Sequence, residues 1–340
     1  MAIRLKKLDQ QVMVITGATS GIGLTTARMA AEKGARLVLA ARDSNALDQL
    51  VAELRGQGRE ALAVPTDVGS RDEVTALGRA AVERFGRIDT WVNNAGVSIY
   101  GRHREVPLED QRQLFQTNFW GVVHGSLTAL ELMKDKGGAI INLGSELSEV
   151  SVPLQGMYSA SKHAVKGYTD SLRMEIEKDG VPISVTLIKP AGIDTLFTSH
   201  ARNYMKNEPE LPAPLYAPEV VADAILYAAE HPQRDIFAGG ASKIFAMEGH
   251  TMPRMLDKVM NLLMFSQQQK PQPSAPDRSD ALYQPNGQEL QQRQGGRGKV
   301  FERSPYTWLT TRGKPLTWSL LAGGALLAAW KMSTPTAKKG

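Results

Sequence analysis

Val12-Met13-Val14-Ile15-Thr16-Gly17-Ala18-Thr19-Ser20-Gly21-Ile22-Gly23 is the stretch whose reading decides the fold. Four apolar residues lead into a turn with three glycines, and a helix-like segment follows as far as Gly34. An apolar run without alternation is what a strand buried on both faces shows. Glycines let the backbone turn tightly and come close to a pyrophosphate, and the helix start offers free N–H groups and a positive dipole end. Gly17, Thr19, Ser20, Gly21, Ile22 and Gly23 are therefore expected to cradle the phosphates of a dinucleotide. A plain surface turn is the alternative, but the strand–turn–helix context is the one a nucleotide turn requires.

Outward from this turn, similar apolar runs recur at 36–41, 60–64, 89–93, 139–143, 183–188 and 235–238. Helical signals lie between them. Ser70 and Glu73 form a capping-box pattern, Gly86 closes that helix, and Pro218 suits the first turn of a later one. Strand–helix alternation with short loops predicts a doubly wound α/β Rossmann fold: about seven mostly parallel strands with helices on both faces. The expected organisation is a catalytic domain over 1–250, a Met-rich helix over 251–265, a disordered linker over 266–305 and a basic tail over 306–340.

Composition narrows the chemistry. The 340 residues contain no Cys, which excludes disulfides, thiolate metal sites and a cysteine nucleophile. The six His show no ligand spacing, so no metal site is expected. Residues 266–340 carry 11 basic and 4 acidic side chains, whereas residues 1–265 carry 29 and 31. The basic surplus belongs to the tail, which argues against a nucleic-acid-binding domain. No signal peptide is legible at the N-terminus, and a cytoplasmic protein is expected.

Five further motifs extend the reading. Asp67-Val68 follows the third run, and Asn93-Asn94-Ala95-Gly96 closes the fourth. Asn118 lies in the helical segment beyond. Ser145 stands 13 residues before Tyr158-Ser159-Ala160-Ser161-Lys162. Lys189-Pro190-Ala191-Gly192 and then Ile193 and Thr195 follow the sixth run. Together with the Gly-x3-Gly-x-Gly turn, these motifs resemble the short-chain dehydrogenase/reductase family over about residues 10–245. Ala191 is a departure, because the family's loop usually reads Pro-Gly at that point.

The resemblance implies a nicotinamide cofactor and a catalytic set of Asn118, Ser145, Tyr158 and Lys162. It implies adenine contacts from Asp67 and Val68, further cofactor contacts from Asn94, Ala95 and Gly96, and nicotinamide contacts from Pro190, Ile193 and Thr195. Tyr158 and Lys162 are one helical turn apart and project from one face. A cation near a phenol favours the phenolate, so Lys162 is expected to lower the Tyr158 pKa and, by resemblance, to hold the nicotinamide ribose. Ser145 is expected to polarise the substrate carbonyl and Asn118 to position a relay water. The implied reaction interconverts a carbonyl and an alcohol, with Tyr158 moving the proton. The resemblance also implies a homodimer or homotetramer pairing through 108–134 and 157–178.

Cofactor choice turns on the end of the second run, Leu39-Ala40-Ala41-Arg42-Asp43. Ala41 stands where an NAD site places an acid, and the Arg42 guanidinium suits a 2′-phosphate. NADP(H) is the expected cofactor and NAD(H) the alternative, with Asp43 read as a helix cap or, one register over, as the ribose acid. The substrate side reads as apolar, from Val97, Ile99 and Tyr100 and from Leu147, Val152, Pro153, Leu154 and Met157. Glu146 among them reads as a solvated carboxylate or a polar anchor. Residues 197–214 are expected as a substrate lid. The Met-rich helix either covers the pocket or packs on the core or a subunit.

In the tail, 316–330 is uncharged, with Trp near both ends and Lys on both flanks. As a helix it reaches about 22 Å, against about 30 Å for a hydrocarbon core. It reads either as a membrane contact at the cytoplasmic face or as a helix packed on its own domain or a partner. The competing function is a non-catalytic NADP(H)-binding protein docked through this tail.

Overall fold

The computed structural model describes residues 3–287, 289–295 and 300–313. Seven strands form its central sheet: β1 (Val12–Thr16), β2 (Arg36–Ala41), β3 (Ala61–Pro65), β4 (Thr90–Asn93), β5 (Gly138–Leu143), β6 (Ile183–Pro190) and β7 (Asp235–Ala238). Their spatial order is β7-β6-β5-β4-β1-β2-β3, and every pairing is parallel. The order reverses direction between β1 and β4, the switch point where doubly wound sheets bind ligands.

The apolar runs fill two cores because alternate side chains leave opposite faces. Met13, Ile15, Leu37 and Leu39 enter one core, against α1 (Gly21–Glu32), α2 (Ser44–Gly56) and residues of 218–230. Val12, Val14, Val38 and Ala40 enter the other, against α3 (Arg71–Phe85) and residues of 121–133 and 156–178. Helix boundaries follow the sequence signals. Asp43 accepts from Ala46 N and caps α2, Ser70 accepts from Glu73 N at the start of α3, and Gly86 ends α3 at φ 76°.

After β4, α4 (Leu108–Phe115) passes through a π turn (Gln116–Trp120) into α5 (Gly121–Met133). The long α6 (Gly156–Lys178) follows β5, and the short α7 (Phe197–His200) and α8 (Pro218–Glu230) lie between β6 and β7. Beyond β7 come α9 (Gly240–Thr251) and α10 (Pro253–Gln267).

The segment read as a disordered linker is a docked strap in its described residues. Gln269–Pro273 pairs antiparallel with Asn207–Pro209, and Val300–Phe301 pairs with Leu215–Tyr216. Ala281 and Leu282 are buried. Composition misleads here because the strap is held by polar groups rather than apolar area. Arg278 pairs with Glu208, Asp280 with Arg202, and Leu290 N donates to Thr19 O at 2.8 Å. Last comes α11 (Pro305–Thr311), capped by Ser304, with Thr307 Oγ1 accepting from Gly239 N at 2.9 Å. Among the described residues no helix is long and apolar enough to cross a membrane. The apolar segment 316–330 lies outside the described residues.

Candidate active site

The glycine turn closes because it excludes side chains. Gly17 and Gly21 hold φ of +65° and +51°, which only glycine adopts at little cost. A Cβ on Gly23 would lie 1.9 Å from Gly17 O, and one on Gly17 would lie 2.9 Å from Ala95 Cα. Asn94 locks the turn to the end of β4: its Nδ2 donates to Thr16 O at 2.9 Å and Gly17 O at 3.1 Å. Beneath it lies a buried polar chain that sequence reading missed. Asn93 Nδ2 donates to Asn142 Oδ1 (2.8 Å) and Ser126 Oγ (3.1 Å), and Asn142 Nδ2 donates to Thr169 Oγ1 (3.0 Å).

Two hollows meet at Gly96. The first, lined by Gly17, Thr19, Ser20, Arg42, Asp67, Val68 and Ala95, runs along the glycine turn. The second is a cavity of about 430 Å³ that takes in Ile22, Asn94, Ser145, Tyr158, Lys162, Pro190, Ile193 and Thr195. That volume lies within the range of roughly 300–1,000 Å³ typical of small-molecule sites. Every expected cofactor residue except the backbone positions Gly21 and Gly23 lines one or the other. The bare backbone at Gly17 and Gly23 lets the turn close against Asn94 and Ala95, and the hollow beside it, lined by Thr19, Ser20, Arg42 and Asp67, offers the cation and polar groups that fit a dinucleotide.

Ser145, Tyr158 and Lys162 come together on one wall. Burial pushes the Tyr158 phenol well above its usual range, the Ser145 hydroxyl beside it pulls the other way, and the Glu146 carboxylate raises it again. Lys162 Nζ donates to Leu143 O at 2.7 Å and sits 5.7 Å from the Tyr158 ring centroid. Burial lowers its pKa to about 8. The lowering of the Tyr158 pKa expected from Lys162 is opposed here by desolvation of the phenol, which raises it.

Asn118 lines neither hollow. It is fully buried in the π turn, where its Oδ1 accepts from Val97 N (2.8 Å) and its Nδ2 donates to Val97 O (2.9 Å) and Ser161 Oγ (3.2 Å). Its amide is occupied in pinning the loop after β4 to α6.

On the substrate side the structure corrects one reading and decides between alternatives for two others. Ile99 and Tyr100 pair with Arg202–Asn203 and belong to the buried interior, not to the cavity wall. Met260 and Met264 of α10 line the cavity, so the Met-rich helix covers it. Glu146 is no solvated carboxylate: it lines the cavity, and burial pushes its carboxyl up to about 7. Phe197 stands edge-on to Tyr158 at 5.2 Å between ring centroids. Leu211 and Pro212, in the expected lid, also line the cavity.

Residues 11–206 match the family model described as short chain dehydrogenase. The chain belongs to the short-chain dehydrogenase family. A Bacillus subtilis (strain 168) relative of this family, named "Uncharacterized oxidoreductase YxnA", is 44% identical over 331 residues, covering 96% of this chain and 92% of its own. Among solved structures, a short chain dehydrogenase/reductase from Burkholderia phymatum in complex with NAD shares 30% identity. It matches with a TM-score of 0.67 over 74% of this chain and 97% of its own. An alcohol dehydrogenase from Thermococcus sibiricus complexed with 5-hydroxy-NADP shares 27% identity, with a TM-score of 0.59 over 67% of this chain and 95% of its own. This short-chain dehydrogenase is thus an oxidoreductase with a Rossmann sheet, a glycine turn at the β1–α1 junction and a Ser–Tyr–Lys wall at the ends of β5 and α6.

Proposed function

We propose that this chain interconverts a carbonyl and an alcohol on an apolar substrate, using NADP(H) by preference and accepting NAD(H). The observation that carries the reading is the convergence of Ser145, Tyr158 and Lys162 on one wall of a cavity that opens, through Gly96, onto the glycine turn. Val152, Phe197, Phe245, Met260 and Met264 give the cavity its apolar character.

A bound nicotinamide ring supplies or accepts the hydride. Tyr158 carries the proton at its hydroxyl, and Ser145 beside it orients the substrate oxygen. Lys162, buried behind the Tyr158 ring, holds a proton at Nζ that its pKa of about 8 makes exchangeable near neutral pH. Asn118 acts at a distance, by fixing Val97 and so the loop that carries Gly96. The NADP(H) preference is supported by Arg42 at the end of β2 and by Asp43, whose carboxylate is spent on the α2 cap.

Self-association is part of the proposal. Leu108, Trp120, Leu127 and Met174 are exposed on α4, the π turn, α5 and α6, and such apolar groups suit a subunit interface. Membrane contact from the cytoplasmic side is supported by exposed Ile244, Met247 and Leu262 on α9 and α10, of which Ile244 lines the cavity, and by the apolar segment 316–330.

Replacing Tyr158 by Phe tests the reading. Turnover of apolar ketones and secondary alcohols should fall at least about a thousandfold while the NADPH dissociation constant changes less than about threefold. A wild-type protein that binds NADPH yet turns over no carbonyl or alcohol in a broad panel is a binder and not an enzyme, and the proposal fails.

A further inference from the structure

The end of β2 leaves the adenosine ribose without its usual acid: Ala41 has none to offer, and Asp43 Oδ1 accepts from Ala46 N at 3.0 Å. A carboxylate reaches the same hollow from elsewhere. The strap crosses the glycine turn, where Leu290 N donates to Thr19 O (2.8 Å), Gly21 N donates to Gln291 O (2.9 Å) and Gln292 Nε2 donates to Thr25 Oγ1 (3.0 Å). These bonds bring Glu289 into the hollow that Gly17, Arg42 and Asp67 also line. Its Oε2 is buried and has no hydrogen-bond partner among the described residues. A buried carboxylate oxygen without a donor is costly, and a ribose diol offers two donors.

Arg42 is meanwhile not a free cation. Its guanidinium donates to the Ala281 and Leu282 carbonyls of the strap. Asp67, Glu289 and Asp280 supply negative charge around it. The hollow holds only about 90 Å³, well below the roughly 300 Å³ of a small-molecule site. A nucleotide entering here displaces the strap carbonyls from Arg42 and the Gln291 carbonyl from Gly21 N, while the Leu290 N–Thr19 O and Gln292–Thr25 bonds still tether the strap, so a 2′-phosphate meets the Glu289 carboxylate as well as the guanidinium.

We propose that Glu289, carried in by the C-terminal strap, is a cofactor-selecting residue that accepts from the unphosphorylated adenosine ribose of NAD(H) and opposes a 2′-phosphate, against the pull of Arg42. The inference rests on the dinucleotide reading given above. It explains how NAD(H) can be accepted by a site whose second strand ends without an acid.

Two variants of the full chain separate the charge from the acceptor. Dissociation constants for NAD⁺, NADP⁺, NADH and NADPH are measured by calorimetry and nicotinamide fluorescence, with thermal melting as the check on folding. Glu289→Gln keeps an acceptor and removes the charge, so NADP⁺ affinity should rise about tenfold relative to NAD⁺, by an amount that shrinks as salt is raised. Glu289→Ala removes both, so NAD⁺ affinity should also fall several-fold. A NADP⁺/NAD⁺ affinity ratio within twofold of wild type in the Gln variant overturns the role of Glu289 while leaving the dinucleotide site intact. Folded wild-type protein that binds none of the four overturns the dinucleotide reading itself, and the Glu289 role with it.

Discussion

Asn118→Ala distinguishes a residue that holds a loop from one that handles a proton. The Asn118 amide makes three buried hydrogen bonds, two of them closing a ring with the backbone of Val97. Truncation leaves Val97 N–H and C=O without partners, whereas Ser161 Oγ still donates to Tyr158 O at 2.7 Å. Each buried group left unsatisfied costs about 1–3 kcal/mol, so two give a loss of about 3–4 kcal/mol once partial relaxation is allowed. For a domain of this size that corresponds to a melting temperature lower by roughly 6–10 °C. The loop that moves carries Gly96, where the two hollows meet, so KM for the cofactor should rise while the pH profile of kcat keeps its shape. Differential scanning fluorimetry and steady-state kinetics over pH measure both. A variant that melts within about 2 °C of wild type but loses turnover, with a shifted pH profile, refutes the positioning argument and returns Asn118 to the proton path.

Glu146→Gln should change how stability depends on pH. The Glu146 carboxyl is raised to about 7 in the folded chain by burial, so between its ordinary value and pH 7 the native state holds a proton that the unfolded state has lost, and stability falls as pH rises through that window. The Gln variant lacks this penalty: its melting temperature should match wild type near pH 4.5 and exceed it increasingly up to about pH 7, and a constant difference across the window excludes the raised pKa. Gly23→Ala places a Cβ 1.9 Å from Gly17 O and 2.6 Å from Asn94 Nδ2, forcing the turn open; cofactor affinity should drop more than about tenfold, and unchanged titration curves would count against the cradle. Met264→Ala enlarges the apolar end of the cavity, so KM should fall for bulkier ketones relative to small ones, with kcat altered less; equal effects on both would remove α10 from the substrate site.

The sheet was legible because its inner strands are buried on both faces, and a run such as Val12–Thr16 admits few other readings. The caps were legible for a similar reason: Asp43 and Ser70 act on backbone groups three residues away, within the span that a local pattern covers. The catalytic wall was legible by its motif, but its electrostatics were not. Spacing places Lys162 on the same face as Tyr158, yet it cannot report that both groups are desolvated or that the ammonium is committed to Leu143 O. Glu146 is the same failure in reverse, a carboxylate whose sequence neighbours gave no sign of its burial. The strap is the largest omission, and its cause is physical. Residues 269–295 are too poor in apolar side chains to announce a fold, and they are held instead by backbone hydrogen bonds and by ion pairs to partners distant in sequence. The reading of Arg42 as a free phosphate ligand depended on the strap being absent. Along the chain only Asp43, which caps α2, stands beside Arg42; in space Asp67, Glu289 and Asp280 surround it, the last two arriving from the other end of the molecule.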